Sequence, residues 1–182
     1  MRREIVAGVL LALALFATRM EHFGTPVSLP DASLAVFFFA GLWLAHRSAF
    51  VLLLGVAVAT DYYAFARSGV SGSCFTPAYP FLAPAYACLW AVGERARARA
   101  ANALVLPFVG AVLAMVGAFA ISNLSFFAFS GQFAAMTVTE YLQRTLRYAP
   151  SYVGYAALYV ALGLALRTLL VNRSGAAALS TR

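Results

Sequence analysis

The sequence predicts an all-α integral membrane protein: six transmembrane helices in one bundle, with cytoplasmic N- and C-termini. Three observations predict it. Of the 182 residues, 63% are hydrophobic and only 10% are charged, with a mean hydropathy of +0.84. A soluble domain runs at roughly 45–50% apolar and about 25% charged. A chain of 19.4 kDa leaves much of its area facing its solvent, so this much apolar surface calls for lipid as that solvent. The third observation is that the positive charge is one-sided. This composition excludes a soluble enzyme, a nucleic-acid binder and a disordered tail.

A span needs about 20 apolar residues. Six stretches approach this: Ile5–Thr18, the short Ala32–His46, Ala49–Ala66, Tyr79–Gly93, Ala101–Leu124 and Ser151–Val171. Phe16-Ala-Thr-Arg-Met20 lacks a small-x-small cleavage pattern, so the first stretch is expected to stay in the mature protein. Residues 1–173 then form one six-helix transmembrane domain. The Ala/Ser-rich residues 174–182 form a tail expected to fray.

Charge orients the bundle. With the N-terminus inside, the inner side holds Arg2, Arg3, Arg47, Arg95, Arg97, Arg99, Arg167, Arg173 and Arg182 against Glu4 and Glu94. The outer side holds Arg19, Arg67, Arg144 and Arg147 against Glu21, Asp31, Asp61 and Glu140. The net charge of +7 thus falls on one side, as the positive-inside tendency requires. The run Glu94–Arg99 reads as a cytoplasmic loop near anionic lipid. This topology predicts a multi-pass membrane protein whose outer face would be periplasmic in a two-membrane bacterium.

The inner connections are short and the outer ones long, so function is expected on the outer face, where loops on a rigid scaffold carry it. Within Met136–Arg147, residues Val138, Tyr141, Leu142, Thr145 and Leu146 share a stripe, which predicts an amphipathic helix across the mouth. Aromatic residues crowd the same side: Tyr62, Tyr63, Phe65, Phe75, Tyr79, Phe126, Phe127, Phe129, Phe133, Tyr141, Tyr148, Tyr152 and Tyr155. An interfacial belt accounts for any one of them. Their concentration at one end predicts a cavity for a large, flat, partly apolar ligand.

Few residues could carry chemistry. Asp61 lies about one turn inside the outer end of the third span. An acid at that depth is either functional or structurally paired, with Arg67 or Arg147 the nearest basic residues. Cys74 lies in Ser71-Gly-Ser-Cys-Phe-Thr-Pro77, a turn-forming loop. Cys88 falls mid-span and reads as a small apolar filler. A Cys74–Cys88 disulfide needs α-carbons within about 7 Å, and Cys88 is expected about two turns deeper. His22, between Glu21 and Phe23, is a metal ligand or a surface residue. Arg144 and Arg147, one turn apart, suit a phosphate or carboxylate, although Glu140 offers Arg144 an i,i+4 partner. Gly8 and Ala12 on the first span, and Ala157, Ala161 and Ala165 on the last, allow close helix approach, either within the bundle or toward another subunit. C-x-x-C, H-E-x-x-H, P-loop and G-x-S-x-G patterns are absent.

Six helices in 182 residues, short inner connections and a ligand-shaped outer face resemble the substrate-binding S-components of energy-coupling-factor (ECF) vitamin transporters. The loop Ser71–Pro80 with Cys74, following Asp61-Tyr-Tyr63, looks like the BtuM family of cobalamin transporters. The resemblance implies uptake of cobalamin, with cobalt ligated by Cys74 in an outward-facing pocket. Asp61, Tyr79, His22 and Arg147 would then surround the ligand. A thiolate is a soft, strongly donating ligand, so its binding to cyanocobalamin would promote loss of cyanide. The implied partner is an ECF energising module, a transmembrane component with ATPases. The family's Ala-x-x-x-Ala docking pattern is matched only loosely, by Gly8-x-x-x-Ala12. The alternatives are an S-component for another vitamin, a small membrane enzyme with Cys74 as nucleophile and His22 as base, or a structural subunit.

Overall fold

A computed structural model describes residues 2–19, 29–68, 75–99 and 103–180, with Ser68 and residues 172–180 described in backbone only. The described residues form seven α-helices and a 3-10 turn, with no strand among them. The helices are α1 (Arg2–Arg19), α2 (Ser33–Trp43), α3 (Ser48–Ser68), α4 (Leu82–Arg97), α5 (Val105–Phe129), α6 (Val138–Leu146) and α7 (Ala149–Ser180). The 3-10 turn, Tyr79–Phe81, leads directly into α4.

Three helical stretches are long and apolar enough to cross a membrane: Ser48–Arg67, Val105–Phe129 and Ala149–Val171. Outward-facing leucines fit a lipid surround. On α7, Leu158, Leu162, Leu166, Leu169 and Leu170 are each more than half exposed, and α1 exposes Ile5, Val6, Val9, Leu10 and Leu13 likewise. In water such a surface would aggregate.

The other three expected spans differ from these. In α1, Arg2, Arg3, Glu4 and Arg19 bracket the apolar stretch. The fourth expected span, Tyr79–Gly93, divides into the 3-10 turn and α4, which runs on to Arg97. The second, Ala32–His46, shortens to the 11 residues of α2, followed by extended backbone at Leu44. At 1.5 Å per residue, such a helix is roughly 16 Å long, about half the hydrocarbon thickness of a bilayer.

The environment of α2 explains its composition. Every residue from Ser33 to Leu42 is buried. A helix covered on all sides needs no polar face, so its sequence is apolar throughout. It is enclosed by α1, α3, α4 and α7, with α4 the most extensive partner. Aromatic rings fill the joints. Phe37 stacks on Tyr86 of α4 at 4.3 Å between ring centres, and Phe37 and Trp90 each meet Phe50 of α3 edge-on.

The α2–α4 contact is backbone on backbone. A β-carbon added at Gly41 would lie 2.2 Å from the Trp90 carbonyl oxygen, and one at Gly93 would lie 2.0 Å from that of Phe38. Only glycine permits this approach, as at small-residue interfaces in membranes. Two small residues of α1, Gly8 and Ala12, also face inward. Gly8 lies over the Leu44 side chain, and Ala12 packs against the core. Of the two readings of Gly8-x-x-x-Ala12, the structure shows internal packing.

The lower end of α2 is closed by Arg97. Its Nη2 donates to the Gly41 carbonyl at 2.6 Å and also to the Leu44 carbonyl. A cation there complements the negative end of the helix dipole and satisfies carbonyls that have no helical partner. The Glu94–Arg99 run is therefore not simply a loop: its first four residues end α4, and Arg97 turns inward.

Gly41→Ala and Gly93→Ala should each destabilise the protein by about 2–3 kcal/mol, the upper range of overpacking costs. Gly55→Ala, where nothing lies within 4 Å of the added carbon, should be neutral or stabilising by about 0.5–1 kcal/mol. Thermal unfolding of the three variants in detergent checks the contrast.

Candidate functional site

The N-terminal end of α2 holds the structure's main polar cluster. Arg19 ends α1 and is buried there, its side chain 3% exposed. Its Nε donates to Asp61 Oδ1 and its Nη2 to Asp61 Oδ2, both at 2.7 Å. This is a bidentate pair, the strongest geometry open to an arginine and a carboxylate. Nη1 donates to Ser33 Oγ at 2.8 Å and to Tyr86 Oη at 2.6 Å, and reaches Asp31 Oδ2 at 3.5 Å. The stack on Phe37 holds the Tyr86 ring in place for this contact. Asp31 Oδ1 accepts the Ser33 backbone N–H at 2.8 Å, and Thr18 Oγ1 accepts that of Ala32 at 3.1 Å. Two acids and one arginine thus leave net negative charge beside the positive end of the α2 dipole, a favourable placement.

Asp61 is paired, but with neither expected partner. Arg67 lies over the Tyr63 ring instead, 5.7 Å from its centre. Arg147 is exposed at the C-terminal cap of α6. Burial explains the choice: the Asp61 side chain is 6% exposed, and only a buried cation can reach it.

Asp61 has a second partner. Tyr79 donates its hydroxyl proton to Asp61 Oδ2 at 2.8 Å. The Tyr79 ring stacks on Phe75 at 4.9 Å, and Phe75 meets Tyr62 and Phe65 of α3 edge-on at 6.5 and 6.0 Å. Asp61 and Tyr79, two of the residues that the resemblance would set around a ligand, are thus in direct contact. Cys74 and His22 lie outside the described residues. Cys88 is a free, half-buried thiol packed against the core.

Two cavities meet beside this network. One, of about 140 Å³, is lined by Thr76, Ala78, Tyr79, Leu82, Ser122, Asn123 and Phe126. The other, of about 290 Å³, lies between α5, α7 and the segment before α2. Its wall combines rings (Phe119, Tyr148, Tyr152, Tyr155) with polar groups (Asp31, Ser122, Asn123, Ser151). Apolar walls with a few placed polar groups are typical of ligand pockets, and this volume is near their lower limit. The two cavities share Ser122 and Asn123.

Helix α6 is tied down at this end. Tyr141 donates to the Asn123 carbonyl at 2.9 Å, and its ring packs against Phe127 and Phe133. The expected stripe is split: Tyr141 and Thr145 are buried, while Val138, Leu142 and Leu146 face outward. Glu140 does not pair with Arg144. It closes a capping box, accepting from the Thr137 backbone N–H and hydroxyl at 2.8 Å each. Those bonds favour the ionised carboxylate, and they lower its pKa from the ordinary value.

Arg19, Asp31, Ser33 and Tyr86 were missed as site residues. The available signal was that Arg19 and Asp31 adjoin apolar runs, where unpaired charge is costly. Among the described residues, no three His, Cys, Asp or Glu side chains gather to hold a metal.

Arg19→Met or Asp61→Leu alone should cost about 3–5 kcal/mol, because either leaves a buried charge uncompensated. The double variant Arg19→Met/Asp61→Leu should cost clearly less than the sum, as read from a double-mutant cycle of unfolding in detergent. For α6, the lowered pKa of Glu140 fixes the sign. The cap stabilises above the ordinary carboxylate range and is lost as pH falls through the lowered value. Hydrogen exchange of the α6 amides should therefore speed up toward acid pH, beyond the intrinsic pH dependence, and Thr137→Ala should abolish that extra change.

No family model matches this chain, and no curated protein matches it. What it does is read from its own residues.

Proposed function

We propose that this protein is a membrane-embedded cobalamin-binding and uptake protein of the S-component type. In this reading, six segments cross the bilayer, with α1, α2 and α4 completing the set begun by the three long helices. Both termini are cytoplasmic, the network and its cavities face outward, and the membrane is a bacterial inner membrane. Non-helical backbone at membrane depth is tolerated where protein covers it, which suits the ends of the short α2.

The observation that carries the reading is the Asp61–Tyr79 hydrogen bond. It joins two of the five residues that the resemblance to BtuM singles out. It also anchors Phe75, the chain neighbour of Cys74, through the stack of Phe75 on Tyr79. The cavity of about 290 Å³ near this anchor is smaller than a corrin. The ligand therefore engages the cavity with its periphery, through rings and amide-binding groups such as Asn123 and Ser151. His22 and Arg147 supply further polar contacts.

In this reading the Cys74 thiolate donates to cobalt. With cyanocobalamin it takes the axial position of cyanide, which leaves with its electron pair and is protonated to hydrogen cyanide. No electron is transferred, and cobalt keeps its oxidation state. The protein is a transporter in which this exchange accompanies binding, and inward release depends on an ECF energising module.

Purified protein mixed with cyanocobalamin should shift the visible spectrum, and Cys74→Ser should abolish the shift. Bound ligand with an unchanged spectrum would overturn cobalt–sulfur bonding. A strain dependent on external cobalamin should grow with the wild-type protein and poorly with the variant.

A further inference from the structure

We propose that the cavity between α5 and α7 is a cation-selective site for a small organic ammonium, an ammonium group carried on a flat, apolar body. In the cobalamin reading the rim of the corrin meets this same wall. The inference stands without that reading, because it rests on the wall alone.

Two helical faces and one short segment build the wall. On α5, Phe119, Ser122 and Asn123 are three and four positions apart and share a face. Tyr148, Ser151, Tyr152 and Tyr155 repeat that spacing at and just before the start of α7. Asp31 and its neighbour Pro30 close the third side. Tyr159, one turn beyond Tyr155, donates its hydroxyl to the Pro30 carbonyl at 3.0 Å and ties that segment to α7. The α5 face is held too, since Tyr141 donates to the Asn123 carbonyl at 2.9 Å.

Charge decides what this wall can hold. Among the described residues that line the cavity, Asp31 alone carries charge. Its Oδ1 accepts both the backbone N–H and the hydroxyl of Ser33, whereas its Oδ2 meets Arg19 only at 3.5 Å. Arg19 turns its bidentate edge to Asp61 instead. Oδ2 therefore keeps the capacity to accept a strong, charge-assisted hydrogen bond from an incoming ammonium. Asn123 adds a second acceptor. Its Nδ2 donates to the Phe119 carbonyl at 2.8 Å, which leaves Oδ1 for a donor.

The rings favour the same charge. Phe119 and Tyr152 lie 5.4 Å apart between centres and incline at 52°, and Tyr148 and Tyr155 extend the aromatic wall. The face of an aromatic ring attracts a cation. A carboxylate ligand would meet Asp31 with like charge and find no basic side chain among the described lining residues, so the wall rejects anions. The volume of about 290 Å³ favours a small ligand. A corrin amide is an N–H donor without the full charge. The same acceptors would hold it less tightly, and the two ligands would exclude each other.

The probe is benzylammonium, with benzyl alcohol and benzoate as its neutral and anionic counterparts. Binding to the full-length protein in a neutral detergent is measured by equilibrium dialysis at neutral pH, with empty micelles as the blank. Benzylammonium should bind saturably and roughly tenfold or more tighter than benzyl alcohol, and benzoate should show no saturable binding. Asp31→Asn should weaken benzylammonium binding roughly 10–100-fold. Tyr155→Leu should weaken it several-fold. Equal affinities for benzylammonium and benzyl alcohol would reveal an unselective apolar crevice and overturn the inference. Wild-type affinity in Asp31→Asn would overturn it as well. Asp31 also takes a backbone N–H at the start of α2. If Asp31→Asn does not fold, Tyr155→Leu decides, and an unchanged affinity overturns the inference. If cyanocobalamin gives no cobalt–sulfur band, the cobalamin reading fails and the dialysis still decides the cation site. A cobalt–sulfur band without preference for benzylammonium keeps that reading and overturns this one.

Discussion

The rest of the structure depends on the burial of α2. This 11-residue helix is buried from Ser33 to Leu42, and within it only Trp43, at the last position, reaches the surface. Its terminal N–H and C=O groups must then find partners within the chain, because an unmet backbone group in an apolar surround costs several kcal/mol. Two arginines meet that need from opposite ends. Arg97 reaches the carbonyls directly. At the other end, Asp31 and Thr18 take backbone N–H groups, and Arg19 organises the side chains around them. The glycine contacts at Gly41 and Gly93 follow from the same burial, since α4 must approach closely for its rings to cover α2.

The candidate site is a consequence of closing the N-terminal end. Bringing Arg19 inside required a carboxylate, and Asp61 supplies it from α3. A paired carboxylate still has lone pairs to offer, and Tyr79 occupies one from the turn before α4. In this way a structural need at the end of one helix organises the segment where the unusual residues lie. The aromatic residues divide accordingly. Those around Phe37 and Trp90 fill the core, and those around Phe75 and Tyr79, or Phe127 and Tyr141, lie at the end that holds the cavities. The cavity wall combines rings with Asn123, Ser122 and Ser151, which suits a ligand that is flat, partly apolar and edged with amides.

That chemistry favours binding over catalysis. The charged groups at the site are paired with one another rather than poised as acid and base. Asp61 is held by Arg19 and Tyr79 together.

Composition and apolar periodicity alone determined that the chain is helical and that its outer surface suits lipid, because both follow from totals and short-range pattern. They also singled out Asp61, since an acid inside an apolar run stands out without any knowledge of its partner, whereas Tyr79 was one outer aromatic among many until the family resemblance set it beside a ligand. Tertiary structure decided the rest. The stretch Ala32–His46 reads the same whether it faces lipid or protein, so only packing shows that it shortens to α2 and lies buried. Arg19 meets Asp61 across 42 positions of the chain, and Arg97 caps a helix far from it in sequence. Such partnerships are set by the helices converging in space. Local sequence encodes the tendency of each segment to be helical and apolar, whereas pairing among distant charges exists only once those segments have packed.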